Sequence, residues 1–125
     1  MRTFDTGATR DSDDTKLDYE GFLSPLVLER YARYLNKHRK QADGNVRDSD
    51  NWQKGIPPAV YMKSLWRHFM DMWKIHRLQF HSCYVTEDFE EAICAVLFNA
   101  SGYLHELLKQ HDSSVADFVE AGWSE

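Results

Sequence analysis

Two long segments repeat their apolar residues with the period of an α-helix, and this limits the possible folds more than any other feature of the chain. At about 100° per residue, Tyr61, Met62, Leu65, Phe69, Met72 and Trp73 share one broad face, with Lys63, Arg67 and Lys74 opposite. The spacing predicts a helix from about Pro57-Pro58 to Leu78, with His68 inside the apolar arc and Asp71 at its edge, one turn on. A second long helix is predicted from Thr86 to about His111. Thr86 can cap it, and Glu87, Asp88, Glu90 and Glu91 suit its positive end. Phe89, Ile93, Val96, Ala100, Leu104 and Leu107 form the expected core stripe. Beside it runs a narrower stripe of acids, an amide and small residues: Asp88, Glu91, Ala95, Asn99, Gly102 and Glu106. A solvated face carries long Lys and Glu chains more often, so this stripe predicts close packing or a ligand wall.

The remaining chain adds shorter pieces. Ser24-Pro25 is a helix start, since Ser caps well and Pro is favoured at the first helical position. Leu26, Val27, Tyr31, Tyr34 and Leu35 give that helix an apolar side, and it is expected to end near Lys40. A polar loop with Gly44, Asn45, Trp52 and Gly55 follows, from Ala42 to Pro58. Ser113-Ser114 is expected to cap a short last helix, about Val115 to Ala121, before Trp123. Residues 1–22 are polar and acidic without a helical or strand period, and read as an extended arm. Such an arm either packs on a partner or over a site, or is a frayed tail. Extended pieces are expected only near Tyr84-Val85. The expected fold is therefore all-α: a bundle of three long helices plus a short C-terminal helix. The arm occupies residues 1–22 and a single helical domain occupies 23–125.

A length of 125 residues suits one domain. With 42% hydrophobic and 28% charged residues, wholesale disorder is excluded. The formal charge of −5 argues against a reader of duplex nucleic acid, which carries a basic surplus. Small anionic ligands stay open, because a few placed cations or a metal suffice for them. No apolar stretch approaches the roughly 20 residues that span a bilayer, and Met1-Arg2-Thr3-Phe4-Asp5-Thr6 lacks the apolar region of a signal peptide. Cys83 and Cys94 fit neither a zinc spacing nor a disulfide framework, and Cys94 reads as a core filler. The expected setting is a reducing cytoplasm.

Four groups of residues are candidates for chemistry. Asp88 and Glu91, or Glu87 and Glu90, can converge on one helix face. If the two long helices pair antiparallel, Asp71 can approach one of these pairs. Several carboxylate oxygens at one place suit Mg²⁺ or Mn²⁺, and His68 could add a ligand or orient a carboxylate. The plainer alternative is that the acids answer the helix dipole and His68 is a satisfied core residue. Arg67 suits forked phosphate contacts, or else a salt bridge to the acids. Trp52, alone in a polar loop, is either a core plug or a stacking surface. No nucleophile elbow, P-loop, dinucleotide fingerprint or zinc-protease motif is present.

Several segments together resemble a phage family, the N-terminal domain of dATP/dGTP diphosphohydrolases, related to the all-α MazG-type NTP pyrophosphatases. They are Gly7-Ala8-Thr9-Arg10-Asp11, Tyr19-Glu20-Gly21-Phe22-Leu23-Ser24-Pro25, Asn51-Trp52-Gln53-Lys54-Gly55-Ile56-Pro57, Ser64-Leu65-Trp66-Arg67-His68 and Glu87-Asp88-Phe89-Glu90-Glu91-Ala92. The resemblance implies an oligomeric helical protein, a dimer or tetramer. It also implies a divalent-metal reaction splitting a purine deoxynucleoside triphosphate to monophosphate and pyrophosphate. By that resemblance His68, Asp71, Glu87, Asp88 and Glu91 are candidate metal ligands, with Asp71, Glu87 and Glu91 candidate catalytic groups. Lys54, Lys63 and Arg67 would meet the phosphates, Trp52 or Asn99 the base, and Arg10 is a further candidate substrate contact. The family pairs an E-x-x-E with an E-x-x-D on the next helix. Here the first pair is His68-x-x-Asp71, with one carboxylate fewer. Two further readings therefore stand beside hydrolysis: a nucleotide-binding or signal-sequestering phage protein without catalysis, and a helical protein-interaction module.

Overall fold

The computed structural model describes residues 1–11, 15–78 and 86–120. The expected extended piece at Tyr84-Val85, the acids Asp13 and Asp14, Cys83 and Trp123 lie outside them. So do the side chains of the expected caps Thr86, Ser113 and Ser114. The chain divides into two compact units, Met1–Arg30 and Tyr31–Glu125.

The first unit begins with a small hairpin rather than a featureless arm. Strands β1 (Arg2–Thr3) and β2 (Thr9–Arg10) pair antiparallel, Arg2 opposite Arg10 and Thr3 opposite Thr9. Two residues per strand are too few to show a period in sequence, so the turn chemistry determines the hairpin. Gly7 sits at φ 88°, Gly7 N donates to the Phe4 carbonyl at 2.9 Å, and Phe4 N donates to that of Ala8 at 2.9 Å. Helix α1 (Tyr19–Phe22) is a single turn capped by Asp18, whose Oδ1 accepts from Gly21 N at 2.9 Å. Helix α2 (Pro25–Lys37) starts at the expected place, where Ser24 Oγ accepts from Val27 N at 3.2 Å. The division between the units falls inside this helix.

The second unit rests on α3 (Pro58–Leu78) and α4 (Thr86–Glu120), which pack on one another. They run antiparallel. Tyr61 meets Phe98 and Gly102, whereas Asp71 and Ile75 lie with Asp88 and Ala92, so α3 numbers fall as α4 numbers rise. All-α is the correct class, but α4 continues through Ser113-Ser114 where a break was expected. Neither Gly nor Pro stands there, and adding a turn to an existing helix is easier than nucleating a new one.

The expected core stripe of α4 is also corrected. Ile93, Leu104 and Leu107 remain exposed, and the buried residues are Ala92, Cys94, Ala95, Asn99 and Gly102. Small side chains let the two helices approach closely, and the large ones are left on the flanks. At Gly102 the Tyr61 ring occupies the space a β-carbon would fill. The arc of α3 splits in the same way. Tyr61 and Ile75 are buried, while Met62, Trp66, Phe69, Met70 and Trp73 are exposed.

Candidate functional site

Two cavities open along the α3–α4 seam, and both are lined by Tyr34, His38 and His68. Helix α2 contributes Tyr34 and His38 one turn apart, with ring centroids 4.4 Å from each other.

The first cavity, about 310 Å³, has aromatic and aliphatic walls from Trp52, Phe98, Leu35 and Ile56, with Asn99 among them. Its rim is built by the loop after α2. Lys40 and Val46 form an isolated antiparallel bridge, and Gly44 at φ 88° closes the turn between them. Arg39 Nε donates to the Arg47 carbonyl at 2.8 Å, and Arg39, Arg47 and Asp48 all line this cavity. Trp52 stands on a short 3₁₀ turn, Asn51–Lys54. It is half-buried and meets His105 edge-on, 4.5 Å between centroids. It is thus both packed and on the cavity wall.

The second cavity, about 380 Å³, is lined by the polar groups His68, Asp71, Lys74, Asp88 and Glu91, with Ile75, Ala92 and Ala95 as its apolar wall. His68 Nδ1 lies 3.7 Å from Asp71 Oδ2. Glu91 Oε1 accepts from Lys37 Nζ at 2.5 Å. The Tyr34 phenol titrates above its ordinary value of 10.0, because burial penalises its anion and the Glu91 carboxylate adds to the effect. Tyr34 therefore stays an O–H donor throughout the neutral range.

Four of the five anticipated metal ligands, His68, Asp71, Asp88 and Glu91, are brought to one cavity; Glu87 is exposed and lines neither. Of the anticipated substrate contacts, Trp52 and Asn99 line the first cavity. Lys54, Lys63 and Arg67 line neither, and Arg67 Nη2 donates to Ser64 Oγ at 2.9 Å. Arg10 lies on β2 in the first unit. The cations at the cavities are instead Arg39, Arg47 and Lys74. Arg39 and Arg47 flank an Asp43-Gly44-Asn45 turn, and that turn was the available signal that they would be brought together.

The donors suit a hard divalent cation by type, being three carboxylates and an imidazole. Among the described residues, however, no three His, Cys, Asp or Glu side chains stand close enough to share an ion. Nor is any helix among them long and apolar enough to cross a membrane. No family model, curated protein or solved structure matches the chain.

Proposed function

We propose that this protein binds a purine deoxynucleoside triphosphate and, with Mg²⁺ or Mn²⁺, splits it to the monophosphate and pyrophosphate. The observation that carries this reading is the pair of adjoining cavities. An aromatic chamber with a buried amide shares Tyr34, His38 and His68 with a chamber of carboxylates and a lysine. A nucleotide has the same division, a flat ring at one end and a phosphate chain needing cations at the other. The resemblance to the dATP/dGTP diphosphohydrolase domain, carried by the segments from Gly7 to Ala92, supports the same substrate.

In this reading Trp52 offers its face to the base, Lys74 offsets phosphate charge, and Arg39 and Arg47 stand in the base chamber. Tyr34 donates to a phosphate oxygen as the neutral phenol. Asp71, Asp88, Glu91 and His68 are the donors of suitable type, and they would have to draw closer together to hold the cation. When bound, such an ion neutralises phosphate charge and lowers the pKa of the attacking water. Lys37, on Glu91, competes for one of those carboxylates.

The pairing of Glu91 with Lys37, together with the spread of the donors, favours a second reading: a nucleotide held without hydrolysis. We propose further that the chain self-associates through α3. Met62, Trp66, Phe69, Met70 and Trp73 lie exposed at helical spacing, a stripe of rings and sulfurs that a second copy would cover. The test of function is incubation with each dNTP, with and without Mn²⁺, and identification of products by mass. Metal-dependent monophosphate and pyrophosphate are expected. Intact nucleotide that remains bound would establish the second reading, and absence of both binding and turnover would sink both.

A further inference from the structure

We infer that the first cavity binds, without any metal, the phosphate monoester of a flat ring compound, a nucleoside monophosphate, with its phosphate on Arg39 and Arg47. The site does not depend on the reaction proposed above, which places the metal and the phosphate chain in the other cavity. The backbone brings the two arginines together. The bridge of Lys40 with Val46 puts Arg39 directly opposite Arg47, and opposite residues of an antiparallel pair project from the same side. Arg47 N donates to the Arg39 carbonyl at 2.8 Å. Arg39 Nε returns a bond to the Arg47 carbonyl at 2.8 Å, and Arg39 Nη1 donates to Asn36 Oδ1 at 3.3 Å. Arg47 Nη1 reaches the His38 carbonyl at 3.5 Å.

Every acceptor on the two guanidinium groups is neutral. Among the described residues neither forms an ion pair, although the chain holds 20 acids against 15 cations. Like charges set directly opposite each other repel, and an anion between them offsets that repulsion. Most of their N–H donors are left for it, in the planar fork that fits phosphate. The other charged groups decide between the cavities. The first sets Arg39 and Arg47 against Asp48 alone, so its arginine and acid charges leave it positive. The second sets Lys74 against Asp71, Asp88 and Glu91, so it repels a phosphate that arrives without a cation. Trp52 and Phe98 line the same cavity as the arginines and offer a ring an aromatic wall. Tyr34, Ser49 and Asn51 add neutral donors, and about 310 Å³ is room for one small ligand.

The test is calorimetric titration in EDTA of wild type, Arg47→Gln and Lys63→Gln. The ligands are dAMP, deoxyadenosine, which lacks the phosphate, and ribose 5-phosphate, which lacks the ring. Wild type is expected to bind dAMP at least about tenfold tighter than either of the others, the size of one charge-assisted hydrogen bond. Arg47→Gln is expected to weaken dAMP about tenfold and to leave deoxyadenosine unchanged. Lys63→Gln removes the same charge from a residue that lines neither cavity, and is expected to bind as wild type does. Arg47 is exposed and joins the ladder through its backbone, and the wild-type comparison needs no variant, so a misfolded variant leaves the question decidable. The inference is overturned if wild type binds dAMP no tighter than both other ligands, or only once metal is added. It is also overturned if folded Arg47→Gln keeps the wild-type affinity, or if Lys63→Gln loses it to the same degree. Mn²⁺-dependent turnover of a dNTP without metal-free dAMP binding removes this inference alone. Metal-free dAMP binding without turnover upholds it and removes the reaction alone.

Discussion

The two faces of α3 and α4 divide their residues in the opposite sense to an ordinary amphipathic pair. Where the helices meet, the buried residues are mostly small or polar: Ala92, Cys94, Ala95, Asn99 and Gly102, with Tyr61 and Ile75 as the bulk. On their flanks, Met62, Trp66, Phe69, Trp73, Ile93, Leu104 and Leu107 are exposed. The apolar surface of a lone helix pair is normally what drives it together. Here close approach at the seam leaves cavities beside it, and the larger apolar surface faces outward. In the proposed reading the seam binds the ligand and the outer face associates. The two jobs use different residues of the same helices and can be tested apart.

The largest expected effect comes from closing the seam. In an exposed helix interior Gly→Ala stabilises by up to about 1 kcal/mol. At Gly102 the added methyl group meets the buried Tyr61 ring, and overpacking of this kind costs about 1–3 kcal/mol. Chemical denaturation of Gly102→Ala should give a lower midpoint than wild type. A higher one would mean that the seam is looser than its geometry.

The outer face should respond in the other currency, association without loss of fold. Trp66→Glu combined with Trp73→Glu should weaken self-association at least about tenfold, about 1.4 kcal/mol, by sedimentation equilibrium. Helix content should not change. A monomeric wild type would reverse the assignment of this face.

A smaller effect separates the seam by pH. Burial, as the first cause, raises the phenol pKa of Tyr31, Tyr34 and Tyr61 above 10.0. The folded state then holds protons that the unfolded state releases first. Stability from these groups is fully present below pH 10 and is lost as pH rises through their folded values. The melting temperature should fall steadily above pH 10, and Tyr61→Phe should flatten part of that fall. A melting curve equally steep in Tyr61→Phe would remove Tyr61 from this account.

The smallest effect is at the ion pair. Lys37 is 62% exposed on its side chain, so solvent screens its bond to Glu91 and Lys37→Ala should cost less than about 1 kcal/mol. The same substitution removes the Lys37 bond from Glu91, and should tighten Mn²⁺ binding measured by titration. Unchanged Mn²⁺ affinity would show that Lys37 does not compete there.

Much of the site was legible before its geometry. The stripe of Asp88, Glu91, Ala95, Asn99, Gly102 and Glu106 pointed to close packing or a ligand wall, because its composition does not suit a solvated face. Four of those residues now line the cavities, and Gly102 seats Tyr61. The cations were not legible. Lys54, Lys63 and Arg67 are near the right residues in sequence but line neither cavity, whereas Arg39 and Arg47 converge through a turn closed by Gly44. Periodicity records which residues share a face of one helix, and it carries no information about a loop folding back over that face.

Local chemistry alone determined the all-α class, the start of α2 at Ser24-Pro25 and the start of α3 at Pro58. Each depends on caps, prolines and a 3.6-residue repeat within one segment. Only the tertiary structure decided which stripe of α4 is buried. A helix with two candidate faces buries whichever one lets its neighbour come closest, and that depends on the Tyr61 ring meeting a glycine 41 positions later in the chain.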